Sequence, residues 1–390
     1  MRKKIGVIIQ RFGEEIIGGS EFYALNLLRK LSDKHDITVY TSTAVDYLSW
    51  KNEYPEGESK IGNINIKRFS VKKQRDIDEF NSYSNIFFKE DNHTLKEEKE
   101  WIIRQGPFVP ELVEAVKIEQ DDYDFFFLFT YLYYPVVFSI PVIKKPKILI
   151  PTTHDESPLY MKIMEKTFYT PEVILSLTEQ ELALIDKKFP RKKNQLRTLI
   201  GGIGIEPPDN INETEFIKRT KPILPYIIYI GRIDEGKGVN FLIDNFLEYS
   251  SSNYCQLLLG GKKNMDIPSD FRIKYLGYLS EEEKWQSLKG ASLYVHPSMY
   301  ESLSISMLEA MAVGTPVLVN GNSPVMKDHI DKSKGGLYYY NKDEFMESID
   351  FLLKNSDIRY KMGENGKFYV KNNYSWKSLM EKIERVLDNF

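Results

Sequence analysis

The chain has 390 residues, of which 42% are hydrophobic and 28% charged, and its formal net charge is −3 at pH 7. This composition is that of an ordinary globular protein, and the small net charge argues against nucleic acid as the main partner. The length predicts two domains on a prior of about 150 residues each. The single cysteine, Cys255, cannot form an internal disulfide, so we expect a reducing, cytoplasmic compartment.

Two apolar stretches raise the question of targeting or membrane insertion. The run Ile5–Ile9 follows basic residues but is shorter than the roughly 7–15 apolar residues of a signal peptide, so it predicts a first buried strand. Phe125–Ile143 is about long enough to span a bilayer, but two prolines interrupt it. A strand over Phe125–Phe129, a loop and a short helix from Pro135 fit this stretch better than a transmembrane helix.

In the first half of the chain, short apolar runs alternate with helical segments. The predicted strands are Lys4–Gln10, Ile37–Thr41, Phe125–Phe129, Lys147–Pro151 and Val173–Ser176. Between the first two, Ser20–Leu31 has apolar residues at helical spacing. Continuous apolar strands separated by helices indicate a parallel sheet covered on both faces. Residues 50–105 are rich in charged and amide side chains, and they predict an insertion of helices or mobile loops.

The alternation restarts after residues 206–222, a proline-containing polar segment that predicts an interdomain linker. The predicted elements are then Tyr226–Ile230, Val239–Phe246, Cys255–Leu259, Glu281–Leu288, Leu293–His296, Ser304–Ala312 and Pro316–Val319. We therefore expect an α/β protein of two Rossmann-like, doubly wound parallel-sheet domains, at 1–205 and 223–373, with a helical tail at 374–390. The carboxyl ends of the strands would face an interdomain cleft, where ligands bind in such sheets.

The loop after the first strand contains Gly18-Gly19-Ser20-Glu21. Its glycines permit close backbone approach, and Ser20 suits the N-cap of the following helix, whose N-terminus could bind an anion. The same residues also suit an ordinary loop–helix junction, and both interpretations stay open at this point.

The second domain opens with Gly231-Arg232-Ile233-Asp234-Glu235-Gly236-Lys237-Gly238, part of a phosphate-loop pattern. Gly238 stands where Ser or Thr would hold magnesium, which argues against a nucleoside triphosphatase. Arg232 and Lys237 at a strand–helix junction still suit a diphosphate. The alternative is a pair of solvated surface cations.

The segment from His296 to Met311 contains two glutamates of interest. Glu309 lies in the middle of an apolar helix, so burial would require a partner, and a ribose diol is a suitable one. Glu301 lies on the preceding loop, whose amides from Ser302 to Ser304 would sit at the helix N-terminus. The alternative is that both glutamates are exposed.

Two further kinds of residue could carry chemistry. His154 follows the strand at Lys147–Leu149 and precedes Asp155, which places it at a strand's carboxyl end; a lone histidine is also commonly structural. The pairs Asp76/Asp78 and Asp122/Asp124 could bind a divalent metal. They fall in the charged insertion and in a polar turn, so we expect no metal site.

Taken in order, these segments resemble the large family of retaining GT-B glycosyltransferases usually called family 4. The motifs that carry the resemblance are Gly18-Gly19-Ser20-Glu21, His154-Asp155, Gly202-Ile203-Gly204-Ile205, Gly231-Arg232, Lys237-Gly238, Leu276-Gly277-Tyr278, Glu301 to Glu309, and Gly314-Thr315-Pro316-Val317. They cover nearly the whole chain outside residues 50–105. The spacing of Glu301 and Glu309, together with Arg232 and Lys237, is the most specific part.

The resemblance implies a role for each site residue. Arg232 and Lys237 would neutralise the donor diphosphate, and Glu309 would bind the donor ribose. Glu301 would contact hydroxyls of the transferred sugar, and His154 would lie beside the reacting carbon. Backbone amides complete the donor site: those of Gly18, Gly19, Leu303 and Ser304 at the anion, and backbone near Gly277 and Tyr278 at the base. Such enzymes need no metal or other cofactor, because protein cations and helix ends stabilise the leaving diphosphate.

This sequence departs from the family at one place and leaves several matters open. The usual glycine-rich loop is Ser302-Leu303-Ser304 here, which leaves the amide geometry and the donor identity open. In the family, a tail helix such as 374–390 crosses back onto the first domain. Uridine and guanosine donors cannot be told apart, and the acceptor would be read by the first domain with its insertion.

The expected function is therefore a retaining hexosyltransferase. It would move a sugar from a nucleotide-diphosphate sugar to a hydroxyl of a glycan, a lipid-linked acceptor or a protein. We expect a cytoplasmic protein, or one peripherally associated with the cytoplasmic face of the membrane. The alternatives are a catalytically inactive glycosyltransferase-like subunit and a GT-B sugar-nucleotide epimerase that acts without an acceptor.

Overall fold

Two sheets organise the chain, as the alternation of apolar runs and helices predicts. The computed structural model describes residues 2–16, 18–90, 92–199 and 201–388. These divide into a first unit, Met1–Gly202 with Met380–Phe390, and a second unit, Ile203–Leu379. Each unit has its own sheet and is described by itself.

The first unit contains an eight-stranded sheet in the order β3-β4-β2-β1-β5-β6-β7-β8. Its strands are β1 (Lys4–Ile8), β2 (Asp36–Ser42), β3 (Gly57–Ile61), β4 (Ile64–Phe69), β5 (Phe125–Phe129), β6 (Lys147–Ile150), β7 (Val173–Ser176) and β8 (Leu196–Leu199). Its helices are α1 (Gly19–Ser32), α2 (Ile77–Phe87), α3 (Leu95–Gln105), α4 (Pro110–Glu119), α5 (Tyr134–Ser139), α6 (Ile163–Tyr169) and α7 (Glu179–Lys188). Every residue of β5 is buried, as expected for a strand covered on both faces.

The charged region at 50–105 contains more regular structure than the predicted helices or mobile loops. β3 pairs antiparallel with β4, and β4 pairs parallel with β2, so a hairpin extends the sheet at its edge. β3 is polar and almost fully exposed, which is why its sequence lacks the apolar signal of a strand. The helices α2 and α3 that follow bury Phe80 and Trp101 against each other, with ring centroids 5.4 Å apart.

The second unit contains a six-stranded parallel sheet in the order β11-β10-β9-β12-β13-β14. Its strands are β9 (Tyr226–Ile230), β10 (Gln256–Gly260), β11 (Ile273–Gly277), β12 (Leu293–His296), β13 (Val317–Asn320) and β14 (Gly336–Tyr339). Its helices are α8 (Glu213–Thr220), α9 (Val239–Tyr249), α10 (Glu281–Gly290), α11 (Ile305–Ala312), α12 (Pro324–Ser333), α13 (Lys342–Lys354) and α14 (Ser356–Asn373). A last helix, α15 (Trp376–Leu387), ends within the first unit.

Part of the predicted linker 206–222 is structured. α8 belongs to the second unit, where it buries Phe216 and forms ion pairs from Glu213 to Lys289 and from Arg219 to Glu283. A polar segment with a single buried aromatic residue has the composition of a linker, so sequence pattern alone could not identify this surface helix.

The strand order of each sheet reverses beside its first strand. In the first unit β1 lies between β2 and β5, and in the second unit β9 lies between β10 and β12. Loops that leave the carboxyl ends of neighbouring strands in opposite directions open a crevice at such a point, and ligands of open α/β sheets bind there.

The apolar stretch Phe125–Ile143 is divided between β5, a loop and α5. Within the described ranges, none of the helices combines the length and the apolar character needed to cross a membrane.

Candidate functional site

The loop after β9 brings Lys237 to the end of β12. Asp234 caps a short 3₁₀ turn by accepting a hydrogen bond from the backbone amide of Lys237 at 2.8 Å. Gly238 then adopts a left-handed conformation with φ of 72°, and a Cβ there would lie 2.9 Å from the carbonyl oxygen of Pro297. Glycine is therefore required at this turn by both its conformation and its close approach to the chain after β12.

Lys237 and His296 both bind the carboxylate of Glu301. Lys237 Nζ lies 2.6 Å and His296 Nε2 lies 2.8 Å from the same oxygen, Oε1. Burial alone would raise the pKa of Glu301, but these two groups outweigh it and hold that pKa well below its ordinary value. Both contacts are made to one oxygen of the carboxylate. Glu301 is thus a fixed, ionised carboxylate whose second oxygen can accept a hydrogen bond from a ligand.

A hydrogen-bonded chain supports His296 from behind. Its Nδ1 lies 2.8 Å from the hydroxyl of Tyr294, which lies 2.7 Å from Ser306 Oγ on α11. A proton on Nε2, directed at Glu301, would leave Nδ1 as the acceptor of a hydrogen bond from the Tyr294 hydroxyl. His296 was not among the predicted site residues, although it is the last residue of β12, and that position was the available signal.

Glu309, like Glu301, is bound through Oε1 by a lysine, and it is more deeply buried. It is 4% exposed in the middle of α11, and Lys284 Nζ on α10 lies 2.6 Å from its Oε1. The interpretation that Glu301 and Glu309 are exposed is therefore wrong for both. Lys284 was not predicted because its proximity to Glu309, 25 residues away in sequence, arises only from the packing of α10 against α11.

The loop before α11, whose amide geometry the sequence left open, is strained at Ser304. Ser304 precedes the helix with φ of 65° and ψ of 74°, in the left-handed region that glycine favours. Its buried Oγ has no hydrogen-bond partner among the described residues, and Leu303 beside it is buried. The backbone at Leu303 and Ser304 thus lies at the N-terminus of α11, next to the Glu301 cluster.

The remaining donor-site residues of the second unit follow neighbouring strands. Arg232 comes after β9, where its NH1 lies 3.5 Å from Asp234 Oδ2. Gly277 ends β11 with φ of 72°, and the side chain of Tyr278 after it is exposed. All lie at the carboxyl edge of the sheet, as do Lys237 and Glu301.

In the first unit, His154 follows β6 and contacts the carboxylate of Glu156. Its Nε2 lies 3.4 Å from Glu156 Oε2, and Glu156 also accepts a hydrogen bond from the hydroxyl of Tyr131 at 2.5 Å. Beneath this loop, buried Glu181 accepts hydrogen bonds from the amides of Thr153 and Leu177. Burial raises the pKa of Glu181 to about 7. Neither Glu156 nor Glu181 was among the predicted site residues.

The Gly18-Gly19 loop is shaped by a buried ion pair. Arg11 NH2 lies 2.6 Å from Glu21 Oε1, and a Cβ on Gly18 would lie 2.2 Å from Glu21 Oε2. The prediction that Ser20 caps α1 is wrong: Gly18 occupies the N-cap, and Ser20 Oγ instead donates to Glu21 Oε2. Space around Gly19 is open, since nothing lies within 4 Å of a Cβ placed there.

The two Asp-x-Asp pairs have structural partners. Asp76 caps α2 by accepting from the amides of Asp78 and Glu79, and Asp124 accepts from the amide of Lys4 at 2.7 Å. Over the described ranges, no group of three or more His, Cys, Asp or Glu side chains is placed to bind a metal ion.

The chain is similar to known glycosyltransferases in sequence and in fold. Residues 210–369 match the family of glycosyl transferases group 1. An uncharacterized glycosyltransferase of Methanocaldococcus jannaschii is 28% identical over 171 residues, which is 41% of this chain and 44% of that protein. The chain spans about half the length of the curated relatives it matches.

Two solved structures share the fold over the full chain at low sequence identity. Sucrose-phosphate synthase from Thermosynechococcus elongatus has a TM-score of 0.73 and 16% identity, with 100% of this chain and 99% of that chain covered. Anabaena HepE in complex with UDP and glucose has a TM-score of 0.71 and 13% identity, with both chains covered completely. The second unit is thus similar to the group 1 glycosyltransferases, and the chain has the GT-B fold.

Proposed function

We propose that this chain is a retaining glycosyltransferase that moves a sugar from a nucleoside diphosphate sugar to a hydroxyl group. The observation that carries the proposal is the Lys237–Glu301–His296 cluster at the carboxyl ends of β9 and β12. The cluster places the cation Lys237 and the carboxylate Glu301, which is bound through one oxygen, at the point where the strand order reverses. The cation can bind a diphosphate, and the carboxylate can accept a hydrogen bond from a sugar hydroxyl.

The diphosphate would bind to Arg232, to Lys237 and to the amides at the N-terminus of α11. An ammonium group has three N–H donors, and the bond to Glu301 uses only one of those of Lys237. Negative charge develops on the diphosphate as the bond to the sugar breaks. Cations and amides that are already oriented stabilise that charge without reorganisation, so the reaction needs no metal ion in this account.

The carboxylates of Glu309 and Glu301 would each bind one of the two sugars of the donor, the ribose and the transferred sugar. Glu309 would accept a hydrogen bond from a ribose hydroxyl, and Glu301 from a hydroxyl of the transferred sugar. Each is held through Oε1 by a cationic or imidazole partner, so each can offer Oε2 in a fixed direction.

Retention would proceed without a covalent glycosyl-enzyme. A nucleophilic carboxylate needs electron density, but Glu301 has a lowered pKa and two donors on one oxygen, so it is a weak nucleophile. We propose instead that the leaving diphosphate accepts the proton of the acceptor hydroxyl on the same face of the sugar. His154, fixed by Glu156, would donate a hydrogen bond to the transferred sugar.

The donor class is supported by a solved structure of this fold, Anabaena HepE, which was determined with UDP and glucose. UDP-glucose is therefore the first donor to test, with GDP sugars as the comparison. The acceptor would be a glycan, a lipid-linked or a protein hydroxyl, and peripheral association with a membrane would suit a lipid-linked acceptor.

Binding measurements on two substitutions test the assignment of the two carboxylates. We expect Glu309→Gln to weaken UDP and UDP-glucose equally, because both contain the ribose. Glu301→Gln should weaken UDP-glucose but leave UDP within about twofold, since UDP lacks the sugar. Glu347→Gln, on an exposed face of α13, is the control and should change neither.

Isothermal titration calorimetry, repeated with GDP and GDP-mannose, measures these affinities. A wild-type protein that binds no nucleotide would overturn the proposal. Equal losses for UDP and UDP-glucose in Glu301→Gln would remove Glu301 from the sugar.

A further inference from the structure

The proposed function leaves Lys284, a buried cation, without a role. Lys284 is 9% exposed on α10, and its Nζ lies 2.6 Å from Glu309 Oε1 and 2.9 Å from Glu281 Oε1. Lysine is rarely buried unless it is paired, because removing an ammonium group from water is costly. A cation in this position therefore calls for an explanation beyond surface solubility.

The helix α10, which carries Lys284, is fixed against the sheet and against the chain that follows α11. The hydroxyl of Tyr226 on β9 donates to the carbonyl of Ser287 at 2.7 Å, and Thr315 Oγ1 donates to the carbonyl of Leu288 at 2.6 Å. The neighbours of Glu309 on α11, from Met307 to Met311, are buried and apolar. Lys284 and Glu309 therefore meet in a rigid, weakly hydrated environment.

That environment makes the ionisation of Glu309 depend on Lys284. Burial raises the pKa of Glu309, and the charge of Lys284 opposes the rise. Burial would also lower the pKa of Lys284, but the carboxylates of Glu309 and Glu281 outweigh it and raise that pKa, so the lysine stays charged. A protonated Glu309 would present a hydroxyl donor where a ribose hydroxyl needs an acceptor.

Fold stability alone does not require this pair. A buried ion pair can be replaced by apolar side chains of similar volume with little or no loss of stability, because desolvation offsets much of the attraction. The hydrogen bond from Lys284 Nζ ends on one oxygen of Glu309, Oε1, whereas an arginine could engage both oxygens. A point cation held on Oε1 suits a carboxylate that must bind a ligand through its other oxygen.

We propose that Lys284 is a positioning residue that determines nucleotide specificity: by holding Oε1 of Glu309, it directs an ionised Oε2 at a ribose hydroxyl. The protein would thereby select ribonucleotides over deoxyribonucleotides. This inference rests on the proposed function, which assigns the ribose to Glu309.

The test compares UDP with 2′-deoxy-UDP and 3′-deoxy-UDP by calorimetry, and GDP with its deoxy counterparts. We expect the wild type to bind the ribonucleotide at least tenfold more tightly than one deoxy analogue. In Lys284→Met that ratio should fall to about one, through loss of ribonucleotide affinity alone. Part of the affinity should return as the pH is raised, because Glu309 then ionises without its partner.

Two further variants separate positioning from a structural role. Lys284→Arg keeps the charge and the ion pair, but a guanidinium that engages both oxygens should also abolish the ratio; a merely structural lysine would tolerate the change. Lys289→Met, an exposed lysine of the same helix whose partner is Glu213, should keep the wild-type ratio.

The outcomes distinguish this inference from the proposed function. If the wild type binds neither UDP nor GDP, the proposed function fails and this inference fails with it. If nucleotides bind and Glu309→Gln abolishes the ratio while Lys284→Arg, or a folded Lys284→Met, keeps it, the proposed function stands and the role of Lys284 is refuted.

Discussion

Replacing Ser304 by glycine should stabilise the protein, although glycine usually destabilises a helix. Ser304 has φ of 65°, and a left-handed conformation costs an L-residue about 1–2 kcal/mol. Glycine avoids that strain but loses about 0.5–1 kcal/mol through its larger freedom in the unfolded chain. The strain term alone therefore favours Ser304→Gly by roughly 0.5–1 kcal/mol.

The hydroxyl adds a second contribution of the same sign. Ser304 Oγ is buried without a hydrogen-bond partner among the described residues, and such a group costs about 1–3 kcal/mol. Together the two terms predict a gain of about 2 kcal/mol, which corresponds to about 4–8 °C in the melting temperature of a unit of this size.

Differential scanning calorimetry measures the effect, with two variants as controls. Ser304→Ala removes the hydroxyl but keeps the strain, so it should give only part of the gain. Ser302→Gly lies in the same loop at a residue that is not left-handed, and it should destabilise by about 0.5–1 kcal/mol. A Ser304→Gly variant no more stable than the wild type would refute the strain argument.

Three other predictions follow from the site and its surroundings. Alanine in place of Arg232 or of Lys237 should each weaken nucleoside diphosphate binding by about 10- to 100-fold, since a lost charged hydrogen bond costs about 1.5–3 kcal/mol; calorimetry measures this. His329 is buried, and burial lowers its pKa from 6.5 to about 4, so its stabilising contribution is complete above pH 6.5 and is lost as the pH falls toward 4. The unfolding free energy of the wild type, relative to His329→Gln, should therefore drop by about 2 kcal/mol between pH 7 and pH 5. Turnover should persist in EDTA, because protein cations replace the metal in this account.

Each of these three has a clear contrary result. Unchanged affinity in both cation variants would remove Arg232 and Lys237 from the diphosphate site. A stability difference between wild type and His329→Gln that does not vary with pH would show that His329 is not held neutral by burial. Loss of activity in EDTA that manganese restores would contradict metal-independent transfer and would make Asp76 and Asp124 candidate metal ligands.

The parts of the fold with strong periodic patterns were predictable from sequence. β5 and β9 are continuous apolar runs, and their strands lie where the pattern places them. The polar edge strand β3 and the helix α8 were not, because an exposed edge and a surface helix bury too few apolar side chains to produce a period. The doubly wound fold could thus be derived while its margins could not.

The same limit applies to the site. Glu309 can be identified from sequence because it is an acidic residue among apolar helix residues, where burial requires a partner. Lys237 can be identified because it lies in a glycine-rich loop. Lys284 has no such signal, and His296 has only its position at the end of a strand: the significance of both comes from contacts of 2.6 Å and 2.8 Å in the packed structure. The N-cap of α1 was assigned to Ser20 because serine favours caps, but the Arg11–Glu21 pair engages that hydroxyl instead.

A time course of proton NMR on the protein with UDP-glucose and a competent acceptor alcohol follows both the transfer and the configuration of its product. We expect UDP to be released while a new glycoside appears with the α anomeric configuration of the donor, and Glu301→Gln to slow both events together. A β-linked product would contradict the retaining mechanism. Conversion of the donor to its epimer without release of UDP would contradict the assignment as a glycosyltransferase.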